Sequence, residues 1–268
     1  MIMTLQRTFI KDVNNSMDVF YVLHSKVEEK LPMHSHNKHQ MCYVEGGVAF
    51  LNTPDKSYFL PARHFLWIPA GIEHNVVSRT SVKMVHNIYF PTELFPEHHH
   101  VRDKEGIYPV TNLLMEMIYY TQEWLGEIAP ENKLKYEFLI ALKNIVLDAA
   151  NIPLPVVLPT TKNENLRSVL KFIHLNVNKP LYLENIADKF GYSTRTLSRL
   201  FQKNIDTSFL QYVKLTRIIK SMEHLLQSDL TISEIAYKSG YNSLSAYSYT
   251  FQQIVHKSPA EFRKQNLL

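Results

Sequence analysis

Two histidines one residue apart, His34-Ser35-His36, and a third at His74, behind Pro69-Ala70-Gly71-Ile72-Glu73, have types and spacing that could hold a ligand. Alternate residues of a strand share a face, so His34 and His36 can point the same way, while Pro69 and Gly71 make a turn that presents His74. Imidazoles suit zinc, iron, copper or nickel. They can also line a pocket for an organic effector, or serve structure alone. A second group lies far along the chain, where Arg195, Ser198, Arg199 and Gln202, and then Ser245, Ser248, Tyr249 and Gln252, recur at helical spacings of three and four. Short polar and arginine side chains gathered on one side of a helix can reach base edges and phosphates in a major groove. The tract His98-His99-His100 reads as a solvated loop.

The second group sits in an internal repeat of about fifty residues. Ile186-Ala187 recurs as Ile235-Ala236, Gly191-Tyr192 as Gly240-Tyr241, Leu197-Ser198 as Tyr247-Ser248, Phe201-Gln202 as Phe251-Gln252, and Ser208 as Ser258. Each copy reads as a short helix, a Gly-Tyr turn and a second helix, a helix-turn-helix. Glycine suits the turn because positive φ costs it nothing, and Ser193 or Thr194, and Asn242 or Ser243, can cap the next helix. The expected packing sides are Leu197, Leu200, Phe201 and Asn204 in the first copy, and Leu244, Tyr247 and Phe251 in the second.

The elements expected to position the histidines are short strands with turn residues between them: Val19–Leu23, Gln40–Val44, Val48–Leu51, Ser57–Leu60, Phe65–Ile68 and Val82–Tyr89. That spacing suggests a sandwich or barrel. Two stretches of helical period follow. Their apolar stripes are Leu113, Leu114, Met117, Ile118, Trp124 and Leu125, then Leu134, Phe138, Ala141, Leu142, Ile145, Val146 and Ala149, and a break at Ala129-Pro130 makes them a helical hairpin. Besides packing on the barrel, such a hairpin is a natural dimerisation surface. Three prolines within residues 151–161 deny that segment helix and ladder donors, so it reads as a semi-extended linker. The expected organisation is a sensing and dimerising domain over residues 1–150, a linker over 151–162 and a DNA-binding domain over 163–268.

Over residues 164–266 the chain resembles the AraC family of bacterial transcription regulators. The resemblance rests on Ile186-Ala187 with Gly191-Tyr192-Ser193 and Leu197-Ser198-Arg199-Leu200-Phe201, then Ile232-Ser233-Glu234-Ile235-Ala236 with Gly240-Tyr241, Phe251 and Ser258-Pro259-Ala260-Glu261-Phe262-Arg263. It implies that one long helix, about Ser208–Gln227, spaces two reading helices into successive major grooves ~34 Å apart. It also implies reading sets of Arg195, Ser198 and Arg199, then Ser245, Ser248 and Tyr249. Asp206 and His256 stand where the family has turn glycines, and Tyr249 replaces a frequent arginine, so the second unit is expected to grip phosphate.

Residues 15–95 resemble the two cupin motifs of a small β-barrel, in which two histidines, a glutamate and a third histidine bind metal. His34, His36 and His74 match; Gln40 stands for the glutamate and Arg63 for the glycine before the second strand, with Gly47 also in the pattern. Regulators with this barrel commonly hold a small effector without metal, so His34, His36, Gln40 and His74 are expected to line an effector pocket, with no metal and no cofactor.

Residues 1–160 carry 14 Lys+Arg against 17 Asp+Glu, whereas residues 161–268 carry 15 against 8. This asymmetry is expected when only one part meets a polyanion. Cys42 is the only cysteine, which excludes an intramolecular disulfide and fits a reducing compartment, the cytoplasm. No signal-peptide core and no run of ~18 apolar residues is present. The expected fold is an α+β pair of domains, a cupin-like β-barrel with a helical hairpin followed by an all-α domain with two helix-turn-helix motifs. The expected partners are duplex DNA, a small effector, a second copy of the chain and RNA polymerase, with no membrane. Two alternatives remain: a metal-dependent cupin enzyme, a dioxygenase or isomerase, fused to a DNA-binding tail, and a helical protein-interaction module at the C-terminus.

Overall fold

A computed structural model describes residues 10–25, 31–45, 49–61, 63–78, 84–97, 100–151, 153–154 and 156–266. Gly47, Val48, Val82, His98 and His99 lie outside the described residues. The chain forms two compact units, Met1–Thr53 with Ala62–Leu154, and Pro54–Pro61 with Pro155–Leu268.

The first unit contains β1 (Phe20–Ser25), β2 (His39–Glu45), β3 (Ala49–Asn52), β5 (His64–Ile68), β6 (Asn75–Ser78), β7 (Met84–Phe90), β8 (Gly106–Pro109), α1 (Asn112–Tyr120), β9 (Gly126–Ile128) and α2 (Lys133–Ala149). Six strands make one antiparallel sheet in the order β8-β5-β2-β7-β1-β9, while β3 pairs with β6, Phe50 opposite Val77. Alternation within the central strands sorts the side chains. Phe20, Val22, Met41, Tyr43, Phe65, Trp67, Ile88 and Phe90 form one core with Leu114, Ile118, Leu139, Leu142 and Val146 of the two helices. The intervening residues, Gln40, Cys42, Asn87 and Tyr89, belong to the opposite sheet face.

The expected first helix ends earlier than its apolar stripe suggests. Thr121 closes α1, its hydroxyl donating to the Ile118 carbonyl at 2.7 Å, and Gly126, at φ 88°, opens β9, which pairs with β1. The hairpin is thus interrupted by a strand, and Trp124 packs on Tyr120 and Phe138 from outside the helix. Leu113, Leu125 and Leu134, expected within the packed stripes, are exposed.

The second unit contains β4 (Lys56–Leu60), β10 (Val157–Pro159), α3 (Glu164–Leu175), α4 (Leu183–Lys189), α5 (Thr194–Ile205), α6 (Phe209–Gln227), α7 (Ile232–Lys238), α8 (Leu244–Val255) and α9 (Pro259–Asn266). The proline-rich segment expected to be a semi-extended linker contributes β10, with Val157 opposite Tyr58 and Pro159 opposite Lys56. Pro159 tolerates this as a terminal strand position that need not donate. Helices α3 and α6 start on side-chain caps. Asn163 accepts from Leu166 N–H, and Ser208 with Gln211 forms a capping box at the start of α6.

Candidate functional site

In each repeat copy, glycine makes the turn and serine starts the second helix. Gly191 and Gly240 have φ of 73° and 87°; Ser193 accepts from Thr196 N–H at 3.1 Å and Ser243 from Ala246 N–H at 3.2 Å. Leu197, Phe201 and Ile205 anchor α5, and Tyr247, Phe251 and Val255 anchor α8. Arg195, Ser198, Arg199 and Gln202 are all exposed on α5. On α8, Ser245, Tyr249 and Gln252 are exposed and Ser248 is half-buried. Leu244, expected to pack, is 42 % exposed. It shares the side of Tyr247 and Phe251 but is the first residue of α8, at the helix end, a turn short of the buried part of that stripe.

Among the described residues, three non-glycine residues have positive φ: Arg63 at 56°, Asp206 at 46° and His256 at 60°. These are the three positions where the motifs call for glycine. The chain keeps the left-handed turn and changes the residue. Asp and His are among the side chains that tolerate this region, and Asp206 is supported by Gln202, whose amide donates to Asp206 Oδ1 at 2.7 Å.

The histidines form a second cluster, in the first unit. His34 lies in an isolated bridge rather than the expected strand: its N–H donates to His74 O at 2.9 Å, and His74 N–H donates back at 2.8 Å. Gly71 N–H donates to His36 O at 2.8 Å. These bonds bring the three rings within 4.5–6.1 Å of one another, centroid to centroid, and one ring nitrogen from each lies within 4.8 Å of the others.

Each Nδ1 faces a backbone carbonyl two residues away: His34 that of Pro32 at 2.9 Å, His36 that of Lys38 at 2.7 Å, and His74 that of Ile72 at 2.8 Å. A carbonyl only accepts, so each ring carries its proton on Nδ1 and leaves Nε2 as a lone-pair acceptor. His74 Nε2 is buried without a hydrogen-bond partner. Burial lowers the pKa of all three, His36 to about 4 and His74 to about 3, the latter also through its neighbour His36. The rings are neutral near pH 7.

His36 Nε2 lies 2.9 Å from the Gln40 amide, which lies 2.8 Å from the Asn87 amide. Gln40 Oε1 faces His36 and Gln40 Nε2 donates to Asn87 Oδ1; with His36 neutral, donor and acceptor balance when both amides are turned about, so that Gln40 NH2 donates to His36 Nε2 and the Gln40 oxygen accepts from Asn87 NH2. The Tyr89 ring stands 5.1 Å from His36. Sequence reasoning brought together His34, His36, Gln40 and His74 but missed Asn87 and Tyr89. The signal for Asn87 was a polar residue inside the apolar run Val85–Phe90.

It also missed a second pair, on the helix-facing side of the sheet. His24 Nε2 donates to Thr121 O at 2.8 Å, and His86 Nδ1 lies 3.1 Å from His24 Nδ1. Both pKa values are pushed down to about 4 by burial. Nearer the first cluster, the buried Lys38 ammonium donates to Val13 O at 2.8 Å and to Ser16 O, fastening the segment before β1.

The helix-turn-helix domain model matches residues 186–265, and the AraC-like ligand binding domain model matches residues 19–100. An uncharacterized HTH-type transcriptional regulator, YdeC of Bacillus subtilis (strain 168), is 22 % identical over 91 % of this chain and 90 % of its own. One from Staphylococcus aureus (strain MSSA476) is 27 % identical over 38 % of this chain, which spans 14 % of that protein's length. Among solved structures, the C-terminal domain of AraT, a response regulator from Geobacillus stearothermophilus, matches 39 % of this chain and 87 % of its own at 28 % identity and TM-score 0.38. ToxT from Vibrio cholerae matches 92 % of this chain and 99 % of its own at 13 % identity and TM-score 0.39. With a ligand-binding domain model on its N-terminal half and a helix-turn-helix model on its C-terminal half, the chain belongs to the AraC family of transcription regulators.

Proposed function

We propose that this chain reads specific duplex DNA under the control of a small effector held by its N-terminal half, without catalysis. The observation that carries this reading is the pairing of two separate devices: an uncharged polar cluster of buried His36, Gln40 and His74 with half-buried His34, and two capped helices with open polar sides. Sensing and dimerisation belong to residues 1–150, residues 151–162 link, and residues 163–268 bind DNA in the cytoplasm. Arg195, Ser198, Arg199 and Gln202 read bases, while Ser245, Ser248, Tyr249 and Gln252 hold mainly phosphate. The exposed Leu113, Tyr120, Leu125 and Leu134 suit a second copy of the chain, and RNA polymerase is the natural further partner on DNA. Effector occupancy changes operator engagement, a coupling between two sites.

The test uses the full chain, because strands β4 and β10 belong to the same compact unit as the reading helices. Salt-sensitive selection of duplexes from a randomised pool is expected. His36→Ala with His74→Ala should leave that binding intact and abolish the reporter response to the inducing molecule. A chain that selects no duplex would sink the reading.

One observation favours a second reading of the pocket. Nε2 lone pairs of neutral imidazoles, oriented by Nδ1–H bonds to carbonyls, are how histidines present themselves to a metal, and the orphaned His74 Nε2 fits that role. His34, His36 and His74 would hold a divalent transition ion, which would supply Lewis acidity; Gln40 would be a weak fourth donor. Stoichiometric metal in untagged protein, lost in the double variant together with turnover of a small molecule, would replace the effector reading by the enzyme one.

A further inference from the structure

Gly191 and Gly240 occupy the same place in the two repeats and share a positive φ, yet their surroundings differ. A Cβ on Gly191 would meet nothing within 4 Å. One on Gly240 would lie 2.4 Å from the Val177 carbonyl oxygen and 2.8 Å from Arg217 Nε. The first glycine serves only the turn, whereas the second also lets the turn press against the segment that leads into the first repeat.

Arg217, in the middle of α6, closes that contact. Its Nε donates to Val177 O at 3.3 Å and its Nη2 to Lys179 O at 3.0 Å, both carbonyls lying between α3 and α4. Its guanidinium carbon sits 5.8 Å from the ring centre of Tyr241, which packs at 5.4 Å on Tyr247 of α8. One side chain therefore grips the entry to the first helix-turn-helix and the turn of the second. Arginine suits this because its planar fork holds two acceptors at a fixed angle while its face takes an aromatic ring. Arg263 makes a fork of the same kind, but only within the second half, to the carbonyls of Leu225 and Leu230.

We propose that Arg217 is a positioning residue that fixes the register of the two reading helices, so that the protein discriminates the spacing between two subsites on DNA. This rests on the DNA reading above. Adding one base pair moves the second subsite by ~3.4 Å and ~34° around the duplex. A rigid pair of readers cannot follow that shift, whereas a pair joined by α6 alone can flex toward it.

The experiment takes a duplex selected by the full chain, locates its two subsites by footprinting, and measures affinity with the spacer shortened by one base pair, unchanged, and lengthened by one or two. Wild type should lose about tenfold or more per base pair of error, the size of a lost base contact. Arg217→Ala should flatten the profile to within about threefold, and Arg217→Lys, with one compact donor group in place of the fork, should fall between. An equal loss at every spacing, with the profile unchanged, would overturn the inference and leave Arg217 as a general stabiliser. Should Arg217→Ala not fold, Gly240→Ala against Gly191→Ala decides: both strain a positive φ, but only the first wedges Val177 and Arg217 apart, so only the first should flatten the profile. An unchanged profile in Gly240→Ala would overturn it. Failure of the full chain to select any duplex would overturn the DNA reading itself and this inference with it.

Discussion

The two helix-turn-helix copies keep the same local devices and diverge in what they present. Both turn on a glycine of positive φ, both start the second helix on a serine cap, and both end it in a left-handed residue. In the first copy the open side carries Arg195 and Arg199; in the second it carries Tyr249, 69 % exposed, with Leu244 at its edge. The first helices differ the other way. Thr231 and Glu234 form a complete capping box on α7, whereas Tyr182 starts α4 without a side-chain cap. The copy with the arginines has the less well capped first helix, and the better capped copy has the neutral open side. Backbone geometry is held in common, while the open side and the caps differ.

The largest effect expected from this asymmetry is on DNA. Arg199→Ala should cost ~1–3 kcal/mol on the selected duplex and relax discrimination at one base position, as for a lost bidentate guanine contact. Tyr249→Ala should cost less, about 1.5 kcal/mol for one hydrogen bond from a neutral hydroxyl to phosphate in place of two from a charged fork, and about equally for all sequences. Binding to duplexes carrying single base changes separates the two. Equal losses would erase the asymmetry, and a sequence-independent loss for Arg199→Ala would assign that residue to phosphate.

The repeat is legible from sequence because its determinants are local: glycine, serine caps and an apolar stripe act within one or two turns of chain. The histidine set is legible in part. His34, His36, Gln40 and His74 meet, but His34 arrives through two backbone bonds to His74 rather than through a strand, and no residue pattern specifies that bridge. Strands β8, β9 and β10 have three or four residues each, too few for alternation to show, and their pairing partners lie far away in sequence. The exposed Leu113 and Leu134 satisfy the helical period, yet they lie at the first turns of their helices, beside the packed face rather than on it.

A smaller effect concerns the caps. Thr231→Ala should destabilise the second unit by about 1 kcal/mol, the usual cost of an N-cap, read by denaturant unfolding of the full chain followed by a probe in that unit. Installing the same box in the first copy, Tyr182→Thr with Asn185→Glu, should return a gain of up to about 1 kcal/mol. No gain there would mean that Tyr182 already satisfies its helix end in another way, and the difference between the copies would be one of residue type alone.

The smallest effect separates the two left-handed residues. A left-handed residue with a side chain costs ~1–2 kcal/mol over glycine, and glycine returns ~0.4–1 kcal/mol of that through the freer unfolded chain. His256→Gly should therefore stabilise by roughly 0.5–1 kcal/mol. Asp206→Gly gains the same relief but loses the bond from Gln202, worth about 0.5–1.5 kcal/mol, so its net effect should lie near zero. Introducing Gln202→Ala first removes that bond in advance, and in this background Asp206→Gly should stabilise as His256→Gly does. If Asp206→Gly alone stabilises as much as His256→Gly, the Gln202 bond contributes nothing, and the side chain is already free to reach DNA. If the cycle closes as expected, the amide that supports the turn in the free protein must leave Asp206 before it can read a base, and Asp206→Gly should bind the selected duplex slightly more tightly than wild type.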